Sequence, residues 1–146
     1  MRPRPILRFA LVALAALLAA CSAPAAAALS VADAWARPGV SGAETAAYFT
    51  ITNPGTAQDA LLSASSPAAS MVQLHQTSTD ASGMTGMSPV TEIAVPAGGS
   101  VTLAPGGFHV MVMGLGQDLA VGGTLELQLV FRNAGTITVQ ATVRQG

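Results

Sequence analysis

The sequence predicts an all-β Greek-key sandwich, and three features predict it. Short apolar runs recur along the chain, most of them separated by Gly, Pro or Asn. Within those runs apolar and polar residues alternate with the period of two that a half-buried strand requires. No stretch beyond the N-terminal segment repeats its apolar residues at helical spacing. Frequent short strands with turn punctuation are the pattern of an antiparallel sandwich or barrel rather than of a helical or α/β protein.

The N-terminal segment comes first. "MRPRPILRFALVALAALLAAC" opens with Arg2, Arg4 and Arg8 and continues as an apolar run over residues 9–20, the pattern of a secretory signal peptide. The run is shorter than the roughly 20 apolar residues of a membrane span. "LAAC" at 18–21 reads as a lipobox, in which Cys21 is lipidated and becomes the new N-terminus. "AAA" at 26–28 offers ordinary small-residue cleavage instead. Residues 1–21 are thus expected to be the signal, residues 22–30, "SAPAAAALS", an Ala/Ser/Pro tether, and residues 31–146 a single domain. Cys21 is the only cysteine, so the domain has no internal disulfide and depends on core burial, which a chain of about 120 residues can supply.

From Val31 the strands follow one another. In "TAAYFTITNPGTAQDALLSASS" (45–66), Tyr48, Thr50 and Thr52 alternate with Phe49 and Ile51 before Asn53, Pro54 and Gly55 mark a turn. Further strands are expected at "MVQLHQT", with His75 near its end, then "VTEIAVPAGG", "SVTLAPGG", "FHVMVMGL", "TLELQLVF" and "TITVQATV". Asn133, Ala134 and Gly135 supply the turn of a closing hairpin. Trp35, Tyr48 and Met71 are expected in the core.

Charge excludes one class of partner. There is no Lys, and removal of the signal leaves Arg37, Arg132 and Arg144 against seven acidic residues, a formal net charge of −4. Nucleic-acid binding needs clustered basic side chains. GxSxG, HExxH and P-loop motifs are absent from the sequence, as are paired carboxylates at a plausible site.

The chemistry-bearing residues are few and adjacent. In "FHVMVMGL" the period of two sets Phe108, Val110 and Val112 on one face, the natural core face, and His109, Met111 and Met113 on the other. The second histidine, His75, precedes a polar stretch that leads to Met84 and Met87. Strand pairing can bring the two segments together as a site of His75, Met87, His109 and Met111. Two imidazoles with two uncharged, soft thioethers suit Cu(I), whereas Mg²⁺, Ca²⁺ and Mn²⁺ want oxygen and Zn²⁺ rarely takes thioether. A blue-copper electron-transfer site would need a Cys thiolate, and Cys21 lies at the cleavage site. Met113 is expected to shield the metal as a hydrophobic neighbour.

These residues resemble the PCu(A)C-type periplasmic copper chaperones, whose signature is a His, ten residues, a Met, twenty-one residues, then His-x-Met. Met87 and His109 enclose twenty-one residues, and "HVM" at 109–111 supplies the His-x-Met. "AWARP" (34–38), "AAYFTITNPG" (46–55), "SSPAA" (65–69), "LHQT" (74–77) and "VPAGGSVTLAPGGFHVMVMGL" (95–115) extend the resemblance over nearly the whole predicted domain. One spacing departs: eleven residues separate His75 from Met87, and eight separate it from Met84, the competing loop ligand. The resemblance implies a cupredoxin-like sandwich, in the periplasm, that binds Cu(I) and delivers it to an acceptor, for which the copper A centre of cytochrome c oxidase is the usual proposal. No enzymatic activity is implied. The alternative is a non-catalytic structural or adhesive β-sandwich lipoprotein in which the His and Met residues are incidental.

Overall fold

The computed structural model describes residues 28–146, all strand, turn and coil. The expected signal peptide, Cys21 with its lipobox, and most of the expected tether lie outside the described residues. Ten strands follow in order: β1 Ser30–Ala36, β2 Thr45–Asn53, β3 Asp59–Ser65, β4 Ala69–Thr79, β5 Thr85–Pro89, β6 Ile93–Val95, β7 Gly99–Thr102, β8 Phe108–Leu115, β9 Thr124–Phe131 and β10 Gly135–Val143.

Alternation explains what each strand buries. Ala47, Phe49 and Ile51 of β2, Val110 and Val112 of β8, Leu125, Leu127, Leu129 and Phe131 of β9, and Ala141 and Val143 of β10 all turn inward to one core. Burying each large aliphatic or aromatic side chain contributes roughly 1.5–3 kcal/mol, which is how the fold does without a disulfide. The hydrogen-bonded order is β5-β4-β8-β2-β1-β10-β9-β3-β6, with β7 on β2. β1 pairs antiparallel with β2 and parallel with β10, and β3 also contacts β4 from the far end of that order. The sheet therefore folds over on itself around the core, giving the expected all-β, cupredoxin-like architecture.

Two local features bear on the site. A register shift in β1 between Ala32 and Trp35 coincides with Asp33 at φ 55°, a left-handed backbone that Asp tolerates better than most residues. Beyond this bulge Trp35 pairs with Tyr48. Trp35 is half-buried rather than in the core, because the Arg144 guanidinium covers its outer side, 4.6 Å from the ring centroid. Tyr48 is buried, as expected.

The second feature is the β4–β5 hairpin. His75 does not end a strand: β4 runs four residues further, to Thr79, and the expected polar loop is the rest of a hairpin. The Asp80 carboxylate closes its turn by accepting the amide N–H groups of Ser82 and Met84 and the Ser82 hydroxyl. Met71 is not in the core either. It is 53% exposed, because Val72 and Leu74 take the inward face of β4 and strand parity puts Met71 with Gln73 and His75 on the outer one.

Candidate metal centre

Register brings the two histidines together. β4 and β8 pair antiparallel without a bulge, and His75 stands directly opposite His109. Directly opposed residues share a face of the sheet, and the two rings lie 5.7 Å apart, centroid to centroid. On the adjoining edge strand, Thr77 pairs with Met87, so Met87 shares the His75 face. Met111 follows His109 on that face by strand parity. Met87, His109 and Met111 line one cavity of about 340 Å³, together with Tyr48, Thr77 and Glu44 among others. His75 does not line that cavity but reaches the site through its position opposite His109. Met84 sits on the turn, 71% exposed, and does not line the cavity either.

The hydrogen bonding of the rings fixes which nitrogens keep a free lone pair. His75 Nε2 is 3.1 Å from Gln73 Oε1, and His109 Nδ1 is 3.2 Å from the Gly107 carbonyl. Each of those nitrogens must carry the proton to donate to an oxygen acceptor, which leaves the lone pairs on His75 Nδ1 and His109 Nε2. Both atoms are buried and have no hydrogen-bond partner. An unsatisfied buried polar atom costs about 1–3 kcal/mol, and two of them on facing residues need a reason. A ring that donates one N–H to a carbonyl or carboxamide and presents the other nitrogen is the arrangement of a metal-binding imidazole.

Electrostatics favours the neutral form of His75. The pKa of His75 is pushed below its ordinary value, first by burial and then by His109 opposite, against a smaller upward pull from Glu44. The site lies next to two tilted aromatic rings: the Tyr48 centroid is 6.4 Å from that of His109, and the Trp35 centroid is 4.6 Å from that of Tyr48. His109 itself is 3% exposed on the central strand β8, whereas Met87 is 58% exposed on the edge strand β5. One side of the site is buried and the other is open.

Among the described residues no three His, Cys, Asp or Glu side chains gather into a metal-binding group. The soft donors that line the cavity with His109 are the thioethers of Met87 and Met111. That donor set is soft and uncharged, matched to a d¹⁰ monovalent ion. Tyr48 and Glu44 were not readable as neighbours of the site from the sequence. Their proximity depends on the pairing of β2 with β8, in which Ala46 opposes Met111.

The comparisons with known proteins identify the family. The profile of the LpqE-like family, described as "Putative lipoprotein LpqE-like", matches residues 29–143. "Putative lipoprotein Lxx21020" of Leifsonia xyli subsp. xyli is 35% identical over 116 residues, covering 80% of this chain and 69% of that protein. The copper-bound PCuAC domain from PmoF2 superposes with a TM-score of 0.68 at 28% identity, over 84% of this chain and 97% of that domain. The Cu(I) form of DR1885 from Deinococcus radiodurans, solved in solution, gives a TM-score of 0.62 at 34% identity, over 90% of this chain and 87% of that one. From the family match and these structural neighbours it follows that the chain belongs to the LpqE-like family and carries a PCuAC-type domain.

Proposed function

We propose that the protein is a copper chaperone that binds one Cu(I) through His75 Nδ1, His109 Nε2 and the thioethers of Met87 and Met111, and passes it to an acceptor protein. The observation that carries this reading is the pair of buried, unpartnered imidazole nitrogens on directly opposed residues. Copper in two of the structural neighbours supports it. In a structural or adhesive sandwich these nitrogens would be expected to find partners, because leaving them bare is destabilising.

The ligand set suits carriage rather than catalysis. Neutral nitrogen and thioether donors leave the charge of Cu(I) uncompensated and hold it less tightly than thiolates, and thioethers do not form disulfides in an oxidising compartment. The strand pair β4–β8 fixes the two imidazoles, while Met87 stands at the exposed edge. Release would begin there: an incoming ligand from the acceptor displaces the Met87 sulfur first, and the histidines let go last. The acceptor would offer its own soft or imidazole ligands, as the copper A centre of cytochrome c oxidase does in the proposal attached to this type of chaperone.

The family description and the N-terminal pattern support export and a lipid anchor at Cys21, with the binding domain over residues 31–146 held outside the membrane, in the periplasm. The test is Cu(I) titration against a competing chelator. Wild type should take one equivalent tightly, and His109→Ala should lose that step while keeping its β-sheet circular dichroism. Equal binding by both would overturn the assignment.

A further inference from the structure

The face that carries the histidines continues past them, and its continuation is sulfur. Met71 of β4 stands directly opposite Met113 of β8 in the same unbroken register that opposes His75 to His109. Strand parity places Met111 on this face between Met113 and His109. Met71 is 53% exposed and Met113 is half-buried, so filling the core does not account for them. Val72, Leu74, Val110 and Val112 cover the inward face at these positions.

We propose that Met71 and Met113 form a second site for a soft monovalent cation, built from thioethers alone and joined through Met111 to the histidine site. Opposed residues of an antiparallel pair have Cβ atoms about 4.5–5.5 Å apart. The methionine side chain is unbranched, with three rotatable bonds, so both sulfurs can converge on one ion. Thioethers without oxygen or imidazole donors select Cu(I) or its redox-inert analogue Ag(I) over harder ions. The backbone here is pinned: the Ser70 hydroxyl donates to the Met113 carbonyl at 3.2 Å, and Gly114 at φ 63° lets β8 approach Ser70 where any Cβ would collide. The row of sulfurs would load the histidine site by ligand exchange, Met71 and Met113 first, then Met111, with no change in copper oxidation state, while release proceeds from the Met87 edge.

This inference rests on the Cu(I) reading of the histidine site, but it is read on different residues. The full-length protein, ¹³C-labelled at the methionine methyl groups, is titrated with Cu(I) under anaerobic conditions and separately with Ag(I). The first equivalent should shift the methyl signals of Met87 and Met111. A later step should shift those of Met71 and Met113 together, leaving Met84, the most exposed methionine of the fold, unmoved. Met71→Leu, at an exposed position where folding is not at stake, should abolish the later step and leave the first intact, and Met113→Leu should do the same. Unmoved Met71 and Met113 signals, or a Met84 shift as large as theirs, overturns the second site. Silence of Met87 and Met111 instead overturns the proposed main site, whatever Met71 and Met113 do.

Discussion

Lowering the pH separates the two kinds of ligand in the proposed centre, because a thioether has no proton to gain and an imidazole must be neutral to bind a metal. His75 Nδ1 and His109 Nε2 are the two free positions, so protonation competes with copper at both. A free imidazole titrates near pH 6.5, and each proton that must leave before binding changes the affinity by up to about tenfold per pH unit. Cu(I) affinity should be nearly flat above about pH 7.5 and approach a limiting slope of about a hundredfold per unit at low pH when both rings take part. Burial and the facing His109 lower the pKa of His75, which delays its share of the loss to below its ordinary range. The assay is chelator competition at several pH values, corrected for protonation of the chelator, on wild type and on His75→Ala. The mutant should show half the limiting logarithmic slope, and equal slopes in the two proteins would refute the role of His75. The ion-free domain has its own pH dependence with a definite sign. Because the folded pKa of His75 is depressed, its contribution to stability is complete above the unfolded value near 6.5 and is lost as pH falls through the lower folded value.

The remaining expectations are quickly stated. Met87→Leu should weaken Cu(I) binding measurably and Met84→Leu should not, since only Met87 lines the cavity with His109; chelator competition on the two variants decides, and the reverse order would move the ligand to the turn. Gly114→Ala should destabilise the domain by at least about 1–2 kcal/mol, the left-handed backbone penalty alone, with the collision against Ser70 added to it; urea denaturation measures this. Cys21→Ser should leave the protein unprocessed or out of the membrane fraction, which detergent partitioning reads, and a lipid-free mature N-terminus near Leu29 in wild type would contradict the anchor.

What could be read from the sequence was whatever a single strand records about itself. In "FHVMVMGL" the valines mark the buried face, so the opposite face, with His109 and Met111, was identifiable without knowing any partner strand. The extent of β4 and β5 was not. Both strands of that hairpin are mostly solvent-exposed beyond His75, so no apolar alternation distinguishes "TSTD" and "TGMSP" from a loop. Met71 lies outside the core for a related reason: its side chain is hydrophobic, but strand parity with Val72 and Leu74 assigns it to the outer face. Trp35 shows a third limit, since its cover is Arg144 from the far end of the chain. The opposition of His75 to His109, and with it the bare nitrogens, belongs to strand register between residues 34 positions apart. Only the family spacing hinted at it.

X-ray absorption at the copper edge tests the central claim most directly. The protein loaded with one equivalent of Cu(I) should show a first shell of two nitrogens and two sulfurs, with the outer-shell scattering of two imidazole rings. Met87→Leu, which is expected to bind Cu(I) more weakly without losing it, should lose one sulfur from that shell when loaded with excess Cu(I). A wild-type shell without sulfur, or one in which a single imidazole or none contributes, would contradict a centre built from His75, Met87, His109 and Met111.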